Sequence, residues 1–145
     1  MGAPTEDVHF TRRIEFPAKA ENLALAEKLI DEACGRNNVP EALYGNILIA
    51  LTEAVNNAIH HGNRLDPSKQ VQLGYALEGD RITFTVSDEG PGFSYADLPD
   101  PTDPQNIEKP HGRGVFLMRA LADSVEFTDN GASVAMSFSL KQPAE

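Results

Sequence analysis

The chain has 145 residues, of which 41% are hydrophobic and 23% are charged, which is enough for one domain with a single core. Twelve basic against 22 acidic residues give a formal net charge of −10 at neutral pH. That field repels nucleic acid and anionic membrane surfaces, so we expect neither direct nucleic-acid binding nor membrane association. A local anion site stays open, because backbone amides and basic side chains can hold an anion.

Cysteine content and the first residues indicate where the protein works. Cys34 is the single cysteine, which excludes an internal disulfide and a multi-cysteine zinc site. No run of about 18 apolar residues occurs, and the start MGAPTED lacks the features of a signal peptide. We therefore expect a cytoplasmic protein in which Cys34 serves packing.

The first part of the chain shows one strand pattern and two helix patterns. Apolar and polar residues alternate over residues 8–16, which predicts a strand. Apolar residues recur with helical spacing over 23–33, which predicts a first helix with a stop signal in Gly35, Asn37 and Asn38. A second helix is predicted with Pro40 in its first turn and an end near His60.

The remainder of the chain is dominated by strand patterns. Four segments alternate apolar and polar residues: 71–77, 82–86, 125–127 and 134–140. A turn at Gly79-Asp80 joins the first two strands, and an Asn130-Gly131 hairpin turn joins the last two. Two antiparallel strand pairs are therefore predicted.

A loop rich in proline and glycine separates these two pairs. Residues 87–111 contain five prolines, and a loop this long in a small domain is usually functional. A short helix is predicted after it, around residues 115–121. The element order predicts a single α+β domain, a two-layer sandwich of a mostly antiparallel sheet with helices on one face.

Polar residues cluster at one margin of the second predicted helix. Glu53 and Asn57 are four residues apart and project from the same face, and Asn46 lies at the same margin. Asparagine is unfavourable inside a helix, so its amide is expected to have a function. The alternative is an ordinary solvated helix flank.

The strand 82–86 predicts an inward-facing carboxylate just after its end. Its even-numbered residues form the apolar face, and continuing the alternation puts Asp88 on that face. Burial costs several kcal/mol unless donors satisfy the carboxylate, so a protein group or a ligand amine must meet it. Gly90 and Gly92 would allow a close approach. Alternatively, Asp-Glu-Gly-Pro-Gly forms a plain turn.

Gly112-Arg113-Gly114 opens the helix after the loop, where backbone amides can hold phosphate oxygens. The segment matches neither the dinucleotide-binding fingerprint nor a P-loop. The histidines, His60, His61 and His111, lack the spacing of metal ligands, and no triad for covalent hydrolysis is legible.

Three segments carry a resemblance when taken together and in order: EAVNNAIHHGN at 53–63, DEGPGF at 88–93 and GRGVFLMRALAD at 112–123. The sequence resembles the histidine-kinase-like ATPase superfamily, and within it the small anti-sigma-factor serine/threonine protein kinases of bacteria. The resemblance covers nearly the whole chain. It implies the Bergerat fold, which binds ATP with Mg²⁺ between a helical layer and a lid.

The resemblance assigns roles to the residues singled out above. It implies that Asn57 gives its amide oxygen to Mg²⁺ and that Glu53 is the general base. Asp88 would accept the adenine amino group beside Gly90, and Gly92 would let the base approach the backbone. Gly112 and Gly114 would hold the phosphates through backbone amides.

Three further assignments complete the implied site. Residues 94–111 would form the ATP lid, and we infer that Arg113 meets phosphate charge. Many relatives have Gly-Thr before the last strand, where the threonine hydroxyl supports the adenine-binding aspartate. This chain has Gly131-Ala132-Ser133, in which Ser133 is expected to substitute. The alternative is a weaker affinity for the nucleotide.

The resemblance implies an ATP-dependent serine kinase that phosphorylates an anti-anti-sigma protein and otherwise sequesters a sigma factor. One alternative is a nucleotide-dependent switch that binds a partner protein without useful phosphate transfer. Others are a family member that controls a phosphatase or another signalling partner, and a domain that binds no nucleotide. Homodimers are common among relatives, and the sequence does not determine the oligomeric state.

Overall fold

The computed structural model describes residues 10–92 and 110–141, and these form two layers, a five-stranded sheet and three helices. The elements are β1 Arg12–Pro17, α1 Leu23–Arg36, α2 Glu41–Asn57, β2 Gln70–Glu78, β3 Arg81–Ser87, α3 Pro110–Leu121, β4 Ser124–Thr128 and β5 Ser133–Ser139. The strand order is β1-β2-β3-β5-β4, and every pair is antiparallel. The predicted fold class is confirmed.

The sheet has one buried face because apolar residues alternate in register across its central strands. Phe84 of β3 lies opposite Tyr75 of β2 and Met136 of β5, and all three are almost fully buried. The Phe84 ring lies 5.7 Å from the Tyr75 ring and 6.4 Å from that of Phe138. The opposite face presents small polar pairs such as Thr83 and Ser137, whose hydroxyls are 2.9 Å apart.

Of the three helices in the second layer, α1 and α2 are amphipathic. Their apolar stripes are buried at Ile30 and Ala33 of α1 and at Ile47 and Leu51 of α2. Cys34 is also buried, and burial raises the pKa of its thiol to about 11. The thiol is therefore protonated at neutral pH and is a poor nucleophile, consistent with a packing role.

The end of α2 widens into one π-helical turn at Ala58–Gly62. The Asn63 N–H donates to the Ala58 carbonyl five residues earlier, at 2.8 Å. Because the extra residue per turn rotates the chain, Gly62 meets the segment that follows β3. The sequence predicted a regular helix to about His60, and the wider turn is a difference that the structure adds.

Three predicted boundaries differ from those observed. Residues 8 and 9 of the predicted first strand lie outside the described residues, and Phe10 and Thr11 precede β1. Pro17 is the last residue of β1, which an edge strand tolerates because it has a neighbour on one side only. Pro40 precedes α2 rather than lying in its first turn.

The predicted loop ends earlier than expected. We predicted irregular structure to His111, and this is wrong for the last two residues, since α3 begins at Pro110. Proline fits a first helical turn because the N–H groups there have no partner within the helix. Most of the predicted lid, residues 94–109, lies outside the described residues.

The predicted turn between the last two strands is a short 3-10 segment at Asp129–Gly131. Its three residues have positive φ angles of 53°, 58° and 96°. Aspartate, asparagine and glycine are the residues that adopt this left-handed conformation most readily.

No described helix is long and apolar enough to cross a membrane.

Candidate functional site

Glu53 and Asn57 lie together on the side of α2 that meets the first turn of α3. Both side chains are half-buried. A Cβ atom added to Gly114 would lie 2.8 Å from Asn57 Nδ2 and 3.3 Å from Glu53 Oε2. The absence of a side chain at Gly114 therefore lets α3 approach both polar groups, and the structure brings these three predicted residues together.

Asp88 lies just beyond β3, and its carboxylate faces the end of the helical layer. A Cβ atom on Gly62 would lie 2.3 Å from Asp88 Oδ2, so the carboxylate packs against the glycine backbone. The backbone N–H of Asp88 donates to the carbonyl of Ala132, the residue before β5, at 2.9 Å. The side chain thus has the inward orientation that the strand alternation predicted.

The charge of Asp88 is only partly compensated within the described residues. The Gly90 N–H donates to Asp88 Oδ1 at 2.8 Å. Burial raises the pKa of the carboxyl above its ordinary value, and the Gly90 hydrogen bond and the charge of Lys69 oppose that rise. A half-buried carboxylate with this environment is suited to accept a hydrogen bond from a ligand amine.

Glycines allow three backbone segments to meet around Asp88. A Cβ atom on Gly90 would lie 2.0 Å from the Gly62 carbonyl oxygen, and one on Gly92 would lie 2.0 Å from the Asn130 carbonyl oxygen. Gly92 also has a φ of 84°. Any larger residue at these positions would separate the segments, so the glycines fix the geometry around the carboxylate.

A cleft between the sheet and α2 joins these groups. Asn57 and Asp88 both line it, with Gly92 at its wall. Most of the remaining lining is apolar: Ala54, Ala58, Val86, Met118, Phe127 and Val134. The cleft therefore combines apolar walls, which suit a flat heterocycle, with a carboxylate and an amide that can orient it.

Three further predicted residues lie in α3 and β5. Gly112 and Arg113 are in the first turn of α3. Ser133 lies on the opposite face of the sheet, where its hydroxyl is 2.8 Å from that of Ser87. The neighbouring carbonyl of Ala132 accepts the Asp88 N–H, and the support of Asp88 by Ser133 stays a prediction.

Two residues near the site carried no sequence signal for this location. Asn63 follows the predicted end of the second helix, and it is buried against the Asp88 segment. His61 lies in the last turn of this helical segment and also lines the cleft, where burial and the charge of His60 lower its pKa. Among the described residues, no group of three His, Cys, Asp or Glu side chains is placed to hold a metal ion.

The arrangement fits a purine nucleotide bound with a hard cation. Apolar walls and Asp88 suit an amino-substituted purine, and the N–H groups at the start of α3 are free of helical partners. Asn57 and Glu53 offer oxygen atoms near that helix start, which are the ligands that Mg²⁺ prefers. One amide oxygen with phosphate oxygens and waters is a usual Mg²⁺ environment, so a dedicated metal cluster is not required.

We expect Gly114→Ala to lower affinity for ATP with Mg²⁺ by about tenfold, because the added methyl displaces the Asn57 amide. Stability should change little, since the atom that must move is the end of a flexible side chain. Gly45→Ala in α2 is the matched control, as nothing lies within 4 Å of the added Cβ. That variant should gain about 0.5–1 kcal/mol in unfolding free energy with unchanged affinity. Calorimetric titration measures the ATP affinity of each variant, and thermal melts measure its stability. An unchanged ATP affinity in Gly114→Ala would contradict a contact between the added methyl and Asn57.

Comparisons with known proteins show which family this chain resembles. Residues 16–138 match the family profile of the histidine kinase-like ATPase domain. The chain is 32% identical over 131 residues to an anti-sigma F factor of Clostridium perfringens, covering 86% of this chain and 92% of that protein. It is 26% identical over 131 residues to the serine-protein kinase RsbW of Oceanobacillus iheyensis, covering 86% and 83%.

A solved structure shows the same fold. It contains the RsbU and RsbW domains of Rv1364c from Mycobacterium tuberculosis, and it superimposes with a TM-score of 0.65 at 18% identity. The match covers 92% of this chain and 34% of that longer chain.

Proposed function

This chain belongs to the histidine kinase-like ATPase family and, within it, to the anti-sigma-factor serine/threonine protein kinases, and from this premise we propose that it is an ATP-dependent protein serine kinase. The observation that carries the proposal is the convergence of Glu53 and Asn57 at the start of α3, with Asp88 in the same cleft as Asn57. Relatives at 26–32% identity that are named as a serine-protein kinase or an anti-sigma factor support it.

We propose that the adenine base occupies the cleft with its amino group donating to Asp88. The apolar walls exclude water from the two faces of the base, and Gly92 leaves room at its edge. A charged acceptor in such surroundings forms a stronger hydrogen bond than one in water. Asp88 therefore selects a purine that carries an amino group at this position.

The phosphates lie, in this proposal, at the first turn of α3. Because α3 begins at Pro110, the first backbone N–H groups of the helix, including that of Gly112, have no partners within it, and the helix dipole favours negative charge there. This local field is needed because the net charge of −10 opposes binding of a polyanion. Asn57 would hold Mg²⁺, which neutralises phosphate charge when bound.

Glu53 is the proposed general base. The serine hydroxyl oxygen of the substrate protein forms a bond to the γ-phosphorus, the bond from that phosphorus to the β–γ bridging oxygen breaks, and ADP leaves. The hydroxyl proton passes to the Glu53 carboxylate, which lies one helical turn before Asn57. Most of the rate gain comes from positioning and charge neutralisation.

The proposed protein partners are an anti-anti-sigma protein, which is the phosphate acceptor, and a sigma factor, which the kinase sequesters when that antagonist is modified or absent. The two activities are mutually exclusive in this scheme. We further propose that the protein works in the cytoplasm, where its acidic charge disfavours direct contact with DNA. We also propose that it forms a homodimer, as many of its relatives do.

Titration of the protein with ATP and Mg²⁺, followed by transfer of labelled γ-phosphate to an antagonist protein, tests this function. We expect binding by the wild type and a loss of about ten- to a hundredfold in Asn57→Ala. Asn56→Ala is the matched control, because the neighbouring residue points about 100° away around α2. A wild-type protein that shows no heat of binding and no thermal stabilisation with ATP would overturn the proposal.

A further inference from the structure

Asn63 is a buried polar residue for which the proposed reaction has no direct use. The residue is 1% exposed. Among the polar and charged residues within 10–92 and 114–141, only Asn63 and Ser133 are buried. It directly follows Gly62, whose backbone contacts the Asp88 carboxylate. A buried amide is retained at low cost only when its donor and acceptor are both satisfied.

Both ends of the Asn63 amide are satisfied, and by different segments. Its Oδ1 accepts the Glu89 N–H at 2.8 Å, and its Nδ2 donates to the Gln70 carbonyl at 2.9 Å. Its backbone N–H donates to Ala58 in the π-helical turn. One side chain thus links the end of the helical layer, the start of β2 and the residue next to Asp88.

The position of Asp88 follows from this link. The Asp88 backbone N–H is bound to the Ala132 carbonyl, and the next residue, Glu89, is bound to Asn63. The backbones of Gly90 and Gly62 contact each other beside it. With the Asn63 amide removed, the Glu89 N–H and the Gln70 carbonyl lose their partners. The Asp88 segment would then be free to move away from the helical layer that carries Asn57.

We propose that Asn63 is a positioning residue that holds the Asp88 carboxylate at the fixed distance from α2 at which it distinguishes an amino-purine from an oxo-purine. This inference rests on the proposed nucleotide site and adds the residue that determines its base selectivity. Asn63 does not touch the nucleotide. It acts through the Glu89 backbone.

The test compares the affinities for ATP and inosine triphosphate, which carries an oxygen where adenine carries its amino group. We expect the wild type to prefer ATP by about tenfold or more, and Asn63→Ala to lose most of that preference because its ATP affinity falls. Affinity for inosine triphosphate should change much less. Calorimetric titration with Mg²⁺ measures both, and thermal melts report folding.

Two further variants keep the test decisive. Asn37→Ala also removes one side-chain hydrogen bond, from Nδ2 to the Ala33 carbonyl at 2.7 Å, and it should keep the ATP preference. Asn63→Ser retains a polar atom but is too short to reach both Glu89 and Gln70. It should lose the preference in the same way, and it replaces Asn63→Ala in the test if that variant does not fold.

The outcomes separate this inference from the proposed function. A wild type that prefers ATP, together with Asn63 variants that fold and keep the same preference, would overturn the role of Asn63 alone. A wild type that binds neither nucleotide, or both equally, would overturn the proposed adenine site and the inference with it. A lower melting temperature with an unchanged ratio of affinities would assign Asn63 to stability only.

Discussion

Glu53→Gln is expected to lower phosphate transfer to the antagonist protein by about 100- to 10,000-fold while ATP affinity stays within a few-fold of the wild type. Glutamine keeps the size and polarity of the side chain beside Asn57 and Gly114, so the packing between α2 and α3 is preserved. It cannot take up the serine proton. Single-turnover transfer from labelled ATP, with calorimetric titration alongside, measures the two effects separately.

The matched control for this variant is Glu41→Gln, an exposed glutamate in the first turn of the same helix. It changes the net charge equally and should leave transfer unchanged. Full transfer by Glu53→Gln would contradict the role of general base. Tight ATP binding by a wild type that shows no transfer to its partner would instead favour a nucleotide-dependent switch.

Asp88→Asn is expected to weaken ATP binding by about 10- to 100-fold without lowering the stability of the nucleotide-free protein at neutral pH. The asparagine oxygen can still accept the Gly90 N–H, but its amide group replaces an acceptor that faces the cleft. We therefore expect the ATP affinity to fall while the unfolding free energy of the nucleotide-free protein does not. Most substitutions at core-facing positions lower the unfolding free energy. Titration and thermal melts of the same preparations give both values.

The pH dependence of this variant has a definite sign. Burial raises the pKa of Asp88 in the folded state. The stability linked to this group is fully present below its unfolded pKa, about 3.9, and is lost as pH rises through the folded pKa. Asparagine does not titrate, so the melting temperature of Asp88→Asn minus that of the wild type should increase from pH 3.5 to pH 7.

Asp66→Asn provides a control of opposite sign. Hydrogen bonds from the Ser68 hydroxyl and backbone N–H lower the pKa of Asp66. Its contribution to stability is present above the unfolded pKa and is lost as pH falls through the folded one. The melting-temperature difference for Asp66→Asn should therefore decrease as pH rises. The same trend in both variants would contradict the assigned cause for Asp88.

Most secondary structure was predictable because it follows from local periodicity. The helical spacing of apolar residues located α1 and α2, and alternation located the strands to within a few residues. The same alternation predicted that Asp88 faces the core side, since Val86 precedes it by one period. Helical geometry alone predicted that Glu53 and Asn57 share a face.

Contacts between distant segments were not predictable in the same way. The insertion of β5 between β3 and β4 has no local signature, because either strand of the last hairpin has a suitable apolar face. The start of α3 at Pro110 was missed because proline is compatible with both a loop and a first helical turn. The approach of Gly114 to Asn57 depends on how α3 packs on α2.

The sequence by itself therefore determined the elements, the inward carboxylate and the polar pair on α2, since each depends on residues close together in the chain. Only the tertiary structure decided that Asn63, 26 positions before Glu89, is hydrogen-bonded to the segment that carries Asp88. An asparagine after a helix and glycine is an ordinary helix end in sequence. Its buried hydrogen bonds exist only because the sheet brings the start of β2 and the end of β3 to the same place.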